Sequence, residues 1–250
     1  MELVIQLFRY KIDEHDAMKH NKERRQYEIN ECLNRNLSNP IFKRIHILLE
    51  NEHDIPYYHT LIENHPEKDK SNFTLFGKQP LYSDLVRYVH SSIENGTIVC
   101  IMNSDIFMGS TTIEFIRSEL SDNTMISLTR HEFTNEQHSE CNELTCNLIY
   151  RYYGSHDAFI FKTPVPSNYN YSYVDIPQNI YGAEAVFMKS WVDAGKQLKN
   201  LCFDIPIYHM HKDHFYLKQY ETIATHELCN VRPTVPPNRP DIQSRMMRMF

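Results

Sequence analysis

The 250-residue sequence predicts an α/β protein of one domain, with a mostly parallel central sheet flanked by helices. Three observations carry this expectation. Short apolar runs of strand length alternate with amphipathic stretches of roughly 10 to 15 residues, the pattern of βαβ units. Several apolar runs, 98–102 among them, read as buried core strands. Hydrophobic residues make up 41% and charged residues 23% of the chain, enough apolar material for a packed core.

Each element follows from local pattern. Leu3 to Phe8 reads as the first strand. From Asn21 to Leu37 a helix is expected, because Ile29, Leu33 and Leu37, with Cys32 beside them, form one stripe. Ser38-Asn39-Pro40 stops it, since the residue before a proline disfavours helical backbone. Ile41 to Leu49 is the second strand. Residues 51–79 are polar and punctuated, hence loop-rich. Leu81 to Ile93 is a second helix, ended by Asn95-Gly96. A strand over 97–102 follows and runs into Asn103-Ser104-Asp105. Thr111 with Glu114 has the spacing of a capping box, opening a helix toward Leu120. Thr124 to Thr129 is a strand, 134–143 a polar segment, and Ala158 to Lys162 a short strand. The tyrosine-rich stretch 164–177 is either an ordered loop over a site or a flexible flap. Ala183 to Ala194 is a helix closed by Gly195, and Cys202 to His211 a last core strand. Prolines make 231–240 a non-helical arm, and the last residues have the spacing of a short amphipathic helix. The expected organisation is one domain over residues 1–230 and a Pro/Arg-containing arm over 231–250.

Composition excludes some classes. Net charge is −6 and the basic residues are dispersed, so no nucleic-acid partner is expected. No run reaches the roughly 18 to 20 apolar residues of a membrane span. The N-terminal stretch lacks the basic, apolar and small-residue regions of a signal peptide. Six cysteines at unrelated spacings give no zinc pattern, and a cytoplasmic protein with reduced thiols is expected.

Chemistry is expected where strands end in polar residues. Asn103 and Asp105, two apart on extended backbone, face one direction. Their oxygens suit Mg2+ or Mn2+ together with substrate phosphates; the alternative is a strand end closed by an Asx turn. Arg130, in SLTRHEF, either grips a phosphate or carboxylate with its planar fork or makes a surface ion pair. Asp157, in GSHDAFIFK, contacts a sugar hydroxyl, orients a neighbouring residue, or belongs to a turn. Glu184 stands just after Gly182 at a helix start. There it either accepts a proton from an attacking hydroxyl or complements the positive helix end. His209 and His211 share a strand face and either bind a metal or diphosphate or are satisfied core residues.

The succession MNSDIFM, SLTRHEF, GSHDAFIFK, IYGAEAVFMKSW, IPIYHMHKDH resembles a family of nucleotide-sugar glycosyltransferases of bacterial and large-virus surface-glycan pathways. The helix RRQYEINECLNRNL and the strand RIHILLE share in the likeness, which spans roughly residues 3 to 220. The resemblance implies the single-domain GT-A fold. It also implies transfer of a sugar from a nucleotide-diphosphate donor to a hydroxyl of a glycan or lipid-linked acceptor.

For individual residues the resemblance implies the following. Asn103-Ser104-Asp105 matches the DxD-like motif that holds Mn2+ or Mg2+ against the diphosphate. Asn103 replaces its first carboxylate, which weakens the site. Asp105, His209 and His211 are the expected metal ligands, and His211 also meets the donor. Phe8-Arg9-Tyr10 begins the nucleotide pocket, with Arg9 at phosphate and Tyr10 at the base, and Arg130 helps neutralise the diphosphate. Glu184 is the expected base, although Ala185 stands where relatives carry a second acid, and Asp157 positions a sugar. The 168–173 tyrosines either stack on a ligand or pack against the sheet edge. The arginines of the tail (232, 239, 245 and 248) either make a peripheral membrane contact or form a solvated arm. A metal-dependent phosphoester hydrolase and a non-catalytic nucleotide-sugar-binding module are the alternatives.

Overall fold

The computed structural model describes residues 1–132, 156–180, 182–210 and 234. In chain order the elements are β1 (Glu2–Leu7), α1 (Lys19–Ser38), β2 (Arg44–Leu49), α2 (Asp54–Ile62), β3 (Ser71–Leu75), α3 (Tyr82–Ser92), β4 (Ile98–Met102) and β5 (Ile106–Met108). They continue with α4 (Ile113–Glu119), β6 (Thr124–Thr129), β7 (His131–Glu132), β8 (His156–Lys162), α5 (Ala183–Asp193), β9 (Gln197–Lys199) and β10 (Ile207–His209).

Seven strands form the central sheet in the order β3-β2-β1-β4-β8-β6-β9. Four of its pairings are parallel and two, β8 with β4 and with β6, are antiparallel. The fold is therefore α/β with a mostly parallel sheet, as expected. The apolar strands are continuous because both faces of the sheet are covered. Cys100 and Met102 pack into a core with Ile29, Leu33 and Leu37 of α1, while Val99 and Ile101 pack into a second core with Leu85 and Val89 of α3 and Trp191 of α5. Successive side chains point to opposite faces, and both faces are covered.

The departures from expectation have local causes. Residues 51–79 are not simply loop: α2 and β3 lie there. In α2 only Asp54, Tyr58 and Ile62 are buried, a spacing of four in a polar stretch, and Pro56 sits in the first turn where its missing N–H is harmless. β3 is an edge strand with no fully buried residue. The cap of α4 is Thr112, whose hydroxyl accepts from the Phe115 N–H at 3.2 Å, whereas the Thr111 hydroxyl is buried with no partner. Of the expected strand 202–211 the described part, 202–210, is mostly turn: in it only Ile207–His209 is extended, after Pro206, and it joins a small three-stranded sheet, β5-β10-β7, outside the central one.

The tyrosine-rich stretch is an ordered loop. Tyr169 is buried and its hydroxyl shares a hydrogen bond with Ser190 at 2.8 Å, while Tyr171 carries the Arg87 guanidinium 4.4 Å from its ring centre. These rings pack on α3 and α5, not against the sheet edge. The polar segment 134–143 and, apart from Thr234, the 231–250 arm with its arginines lie outside the described residues. Among the described residues no helix is long and apolar enough to cross a membrane.

Candidate active site

Strand direction assembles the site. β6 runs parallel to β4, and antiparallel β8 lies between them. The ends of β4 and β6 and the beginning of β8 therefore meet at one sheet edge. Asn103 follows β4, Arg130 follows β6, and Asp157 opens β8. This is the carboxyl edge of the parallel strands, where open α/β sheets place their ligands. Phe8, after β1, leaves at the same edge.

The three side chains are bonded together. Asn103 donates from Nδ2 to Asp157 Oδ1 at 2.7 Å and accepts from Gln178 Nε2 at 2.9 Å. Its backbone N–H donates to the Asp157 carbonyl at 3.0 Å. Arg130 Nη1 reaches both Asp157 oxygens at 3.4 Å. Asp157 is buried and is the hub of these bonds.

Glu184 stands in the first turn of α5. Gly182 caps this helix with φ of 90°, a conformation that glycine adopts without strain. Burial, then the neighbouring charge of Asp157, pushes the Glu184 carboxyl up to about 8, against partial relief from its own N–H and from Arg130. Tyr82 lies beneath, its buried hydroxyl driven up by burial and by Glu184 and Asp157 nearby.

Asp105 forms the second half of the site. Its Oδ2 accepts from Arg25 Nη2 at 2.8 Å and from His209 Nε2 at 3.1 Å. Its Oδ1 makes no hydrogen bond among the described residues. Burial opposes the charge, yet His209 and then Arg25 hold the carboxyl well below the usual range. β5 and β10 make the His209 contact possible: Ile106 pairs with His209 across them, and Met210 N–H donates to the Asp105 carbonyl at 3.1 Å. Gly109 lets these strands close up, since a Cβ there would lie 2.6 Å from Tyr208 Cε2. Arg25 comes from α1 and is held at its other end by Glu28 at 2.5 Å.

The first-strand residues lie beside this cluster. The Tyr10 hydroxyl faces Arg25, and the Tyr10 N–H donates to Gln26 at 3.0 Å. The Phe8 carbonyl accepts from Tyr58 at 2.7 Å, and the exposed Arg9 lies 4.6 Å from the Tyr57 ring centre. Ser104 is half-buried in the turn between Asn103 and Asp105. His211 lies outside the described residues.

The resemblance implies a divalent ion. Asp105 Oδ2 and His209 Nε2 stand 3.1 Å apart, close to the about 3.0 Å separating two ligands set at right angles around an ion at about 2.1 Å. The two atoms are hydrogen-bonded to each other and the same oxygen accepts from Arg25, so an ion there would have to open these bonds; Asn103, with amide oxygen and nitrogen both bonded, is likewise committed. Among the described residues no group of three or more His, Cys, Asp or Glu side chains is placed to hold an ion.

Arg25, Gln178 and Tyr82 were not anticipated from sequence. The first lies within the RRQYEINECLNRNL helix that carried part of the likeness, but nothing local separates it from Arg24.

Comparison with known proteins supports the fold alone. A crystal structure of S. aureus TarS 1-349 matches with a TM-score of 0.51 at 10% identity, over 84% of this chain and 60% of that one. The same protein in complex with UDP matches with a TM-score of 0.50 at 11% identity, over 84% of this chain and 61% of that one. The fold is thus of the GT-A type, and the chain spans about 60% of the length of the TarS chain it matches. No family model and no curated protein matches this sequence.

Proposed function

We propose that this protein transfers a sugar from a nucleoside-diphosphate donor to a hydroxyl of a glycan or lipid-linked acceptor. The observation that carries the reading is Glu184. It is a carboxyl with its affinity for protons raised to about 8, at a helix start on the ligand-binding edge of a GT-A fold. A base is most effective when its pKa lies near the operating pH.

In this reading Glu184 takes the proton of the acceptor hydroxyl as its oxygen attacks the anomeric carbon. The glycosyl–phosphate bond breaks, and its electron pair leaves with the diphosphate. Asp157, fixed by Asn103 and Arg130, holds a sugar hydroxyl, and Phe8, Arg9 and Tyr10 border the nucleotide. Asp105 and His209, with His211 as the expected third ligand, would hold a Mn2+ or Mg2+ ion, which when bound would supply charge neutralisation at the leaving diphosphate. We place the protein in the cytoplasm, a reading supported by the buried, free thiols of Cys32, Cys100 and Cys202.

The test is release of nucleoside diphosphate from a panel of nucleotide sugars in the presence of oligosaccharide acceptors. Turnover is expected to rise with pH through about 8, where Glu184 loses its proton. Glu184→Gln is expected to lower kcat by about 10²- to 10⁴-fold, the span of general-base catalysis. A variant with full turnover and an unchanged pH profile removes Glu184 from the chemistry. Nucleotide-induced stabilisation with no transfer identifies a binding module. Metal-dependent cleavage of simple phosphoesters identifies a hydrolase.

A further inference from the structure

We propose that Tyr82 is a positioning residue for Glu184: its buried hydroxyl donates a hydrogen bond to the Glu184 carboxylate once that group gives up its proton, and so steadies the base in its working, ionised form. This inference rests on the transferase reading above and deepens it, adding a residue that is buried from solvent and acts through another.

The packing places the hydroxyl. Tyr82 opens α3, and its N–H donates to the Ile176 carbonyl at 2.9 Å, which fixes the backbone. Its ring stacks on Phe187 of α5, with centroids 4.3 Å apart and planes 17° from parallel, and stands edge-on to Phe159 of β8 at 6.1 Å. Each of these partners leads to a site carboxyl. Glu184 lies three residues before Phe187, on the same side of α5 and one turn nearer its start. Asp157 lies two residues before Phe159, on the same face of β8. The clamped ring thus brings its hydroxyl close to both acids, and Glu184 and then Asp157 add to burial in raising the phenol's hold on its proton.

That proton has no acceptor. The hydroxyl is buried without a hydrogen-bond partner. Gln178 faces it, but with the amide that donates to Asn103 at 2.9 Å, and an amide N–H cannot accept. Asp157 already accepts from Asn103 and Arg130. The Glu184 carboxyl is bonded by its own N–H and by no side chain among the described residues. A buried donor left without an acceptor is costly, and an ionised carboxylate is the strong acceptor that removes the deficit. Ionised Glu184 in turn needs a donor. It faces Asp157 from β8 and, with less effect, Asp105 from the turn after β4, and Arg130 from the end of β6 is the cation acting on it. The half-buried Glu184 side chain can turn about its torsions, whereas the stacked ring cannot. The carboxylate therefore comes to the phenol, one oxygen accepting from Tyr82 and the other left for the proton of the acceptor hydroxyl. The Tyr82 proton stays on Tyr82 throughout.

The experiment compares the wild-type protein with Tyr82→Phe, which keeps the stacked ring and removes only the hydroxyl. Titration of Glu184 is followed in the ligand-free protein from the 13C signal of its carboxyl, identified by its absence from Glu184→Gln. In Tyr82→Phe that titration is expected to move upward by about one pH unit, the tenfold shift that loss of a hydrogen bond to a charged group produces. With donor and acceptor present, kcat is expected to fall about tenfold near pH 7 and to approach the wild-type value above about pH 9, with KM for the donor unchanged. At about pH 6, where Glu184 is protonated in both proteins, the melting temperature is expected to match the wild type, since the hydroxyl makes no bond there. An unshifted Glu184 titration in Tyr82→Phe overturns the proposal and leaves Glu184 standing as the base. A shifted titration in a protein that transfers sugar from no nucleotide sugar upholds the bond and overturns the transferase reading instead. Should Tyr82→Phe not fold, the wild-type protein decides. The signal of the Tyr82 ring carbon bearing the hydroxyl is expected to move with the Glu184 titration and to stay still over the same pH range in Glu184→Gln. A signal that behaves alike in the two proteins overturns the bond.

Discussion

Asn103 departs from the expected carboxylate, and its neighbours give the reason. Asp157 Oδ1 lies 2.7 Å from Asn103 Nδ2, so position 103 must donate a proton there. An aspartate would set two carboxylates against each other at hydrogen-bond distance, with Glu184 already raised by Asp157 nearby. Restoring the usual first acid by Asn103→Asp is therefore expected to destabilise the protein, by about 1 to 3 kcal/mol for a buried group left without its donor. Asn103→Asp with Asp157→Asn restores a donor facing an acceptor and should recover part of that loss. Urea unfolding of the two single variants and the double gives the coupling; strictly additive effects would disprove the pairing as the cause. The amide thus holds Asp157 in place, which the residue types at 103 and 105 alone do not reveal.

The elements were legible where burial writes a long pattern. α1, α3 and the central strands bury a continuous stripe or both faces, and their residues declare it. β3 and α2 bury too little to do so, with three buried residues in the whole of α2. The segment at 202–211 read as one strand because its residues are apolar, yet Pro206 divides it, and only the tertiary partner, β5, selects Ile207–His209 as extended. The same limit applies to the site. The placing of Asn103 at a ligand-facing sheet edge followed from the end of its strand; the grouping of Asp157, Arg130 and Glu184 with it, like the meeting of Asp105 with His209, came from the likeness. The Arg25 contact, 80 residues away in sequence, follows only from how α1 lies against the turn after β4. Close packing of β10 on β5 holds His209 at its post, and Gly109 is where that packing is tightest. Gly109→Ala places a methyl 2.6 Å from Tyr208 Cε2 and 3.0 Å from Pro206 Cγ, so β10 must give way. A loss of about 1 to 3 kcal/mol is expected, as for other over-packed sites. The melting temperature measures it; wild-type stability would mean that β10 yields freely and does not hold His209 rigidly.

One buried and one half-buried group near the sheet edge give the molecule opposing pH limits. His156 is fully buried at the start of β8, with Nδ1 on Ser127 at 2.9 Å and Nε2 without a partner. Burial lowers it to about 4 from an ordinary 6.5. Folding therefore favours its neutral form, a contribution fully present above 6.5 and lost as pH falls toward 4. Glu184 works in the other direction. Its ordinary value of 4.5 rises to about 8, so folding favours the protonated form. That contribution is complete below 4.5 and lost as pH climbs through 8. The melting temperature of the wild-type protein should accordingly be highest between about pH 4.5 and 6.5 and fall on both sides. Glu184→Gln keeps a neutral, similarly shaped side chain and is expected to flatten the alkaline limb while leaving the acid limb in place. His156→Phe is expected to flatten the acid limb alone, after whatever uniform loss its altered packing causes. Melting curves from pH 4 to 9 on the three proteins separate the effects. An alkaline limb unchanged in Glu184→Gln would show that Glu184 is not held protonated by the fold, and would remove the physical basis for its role as a base.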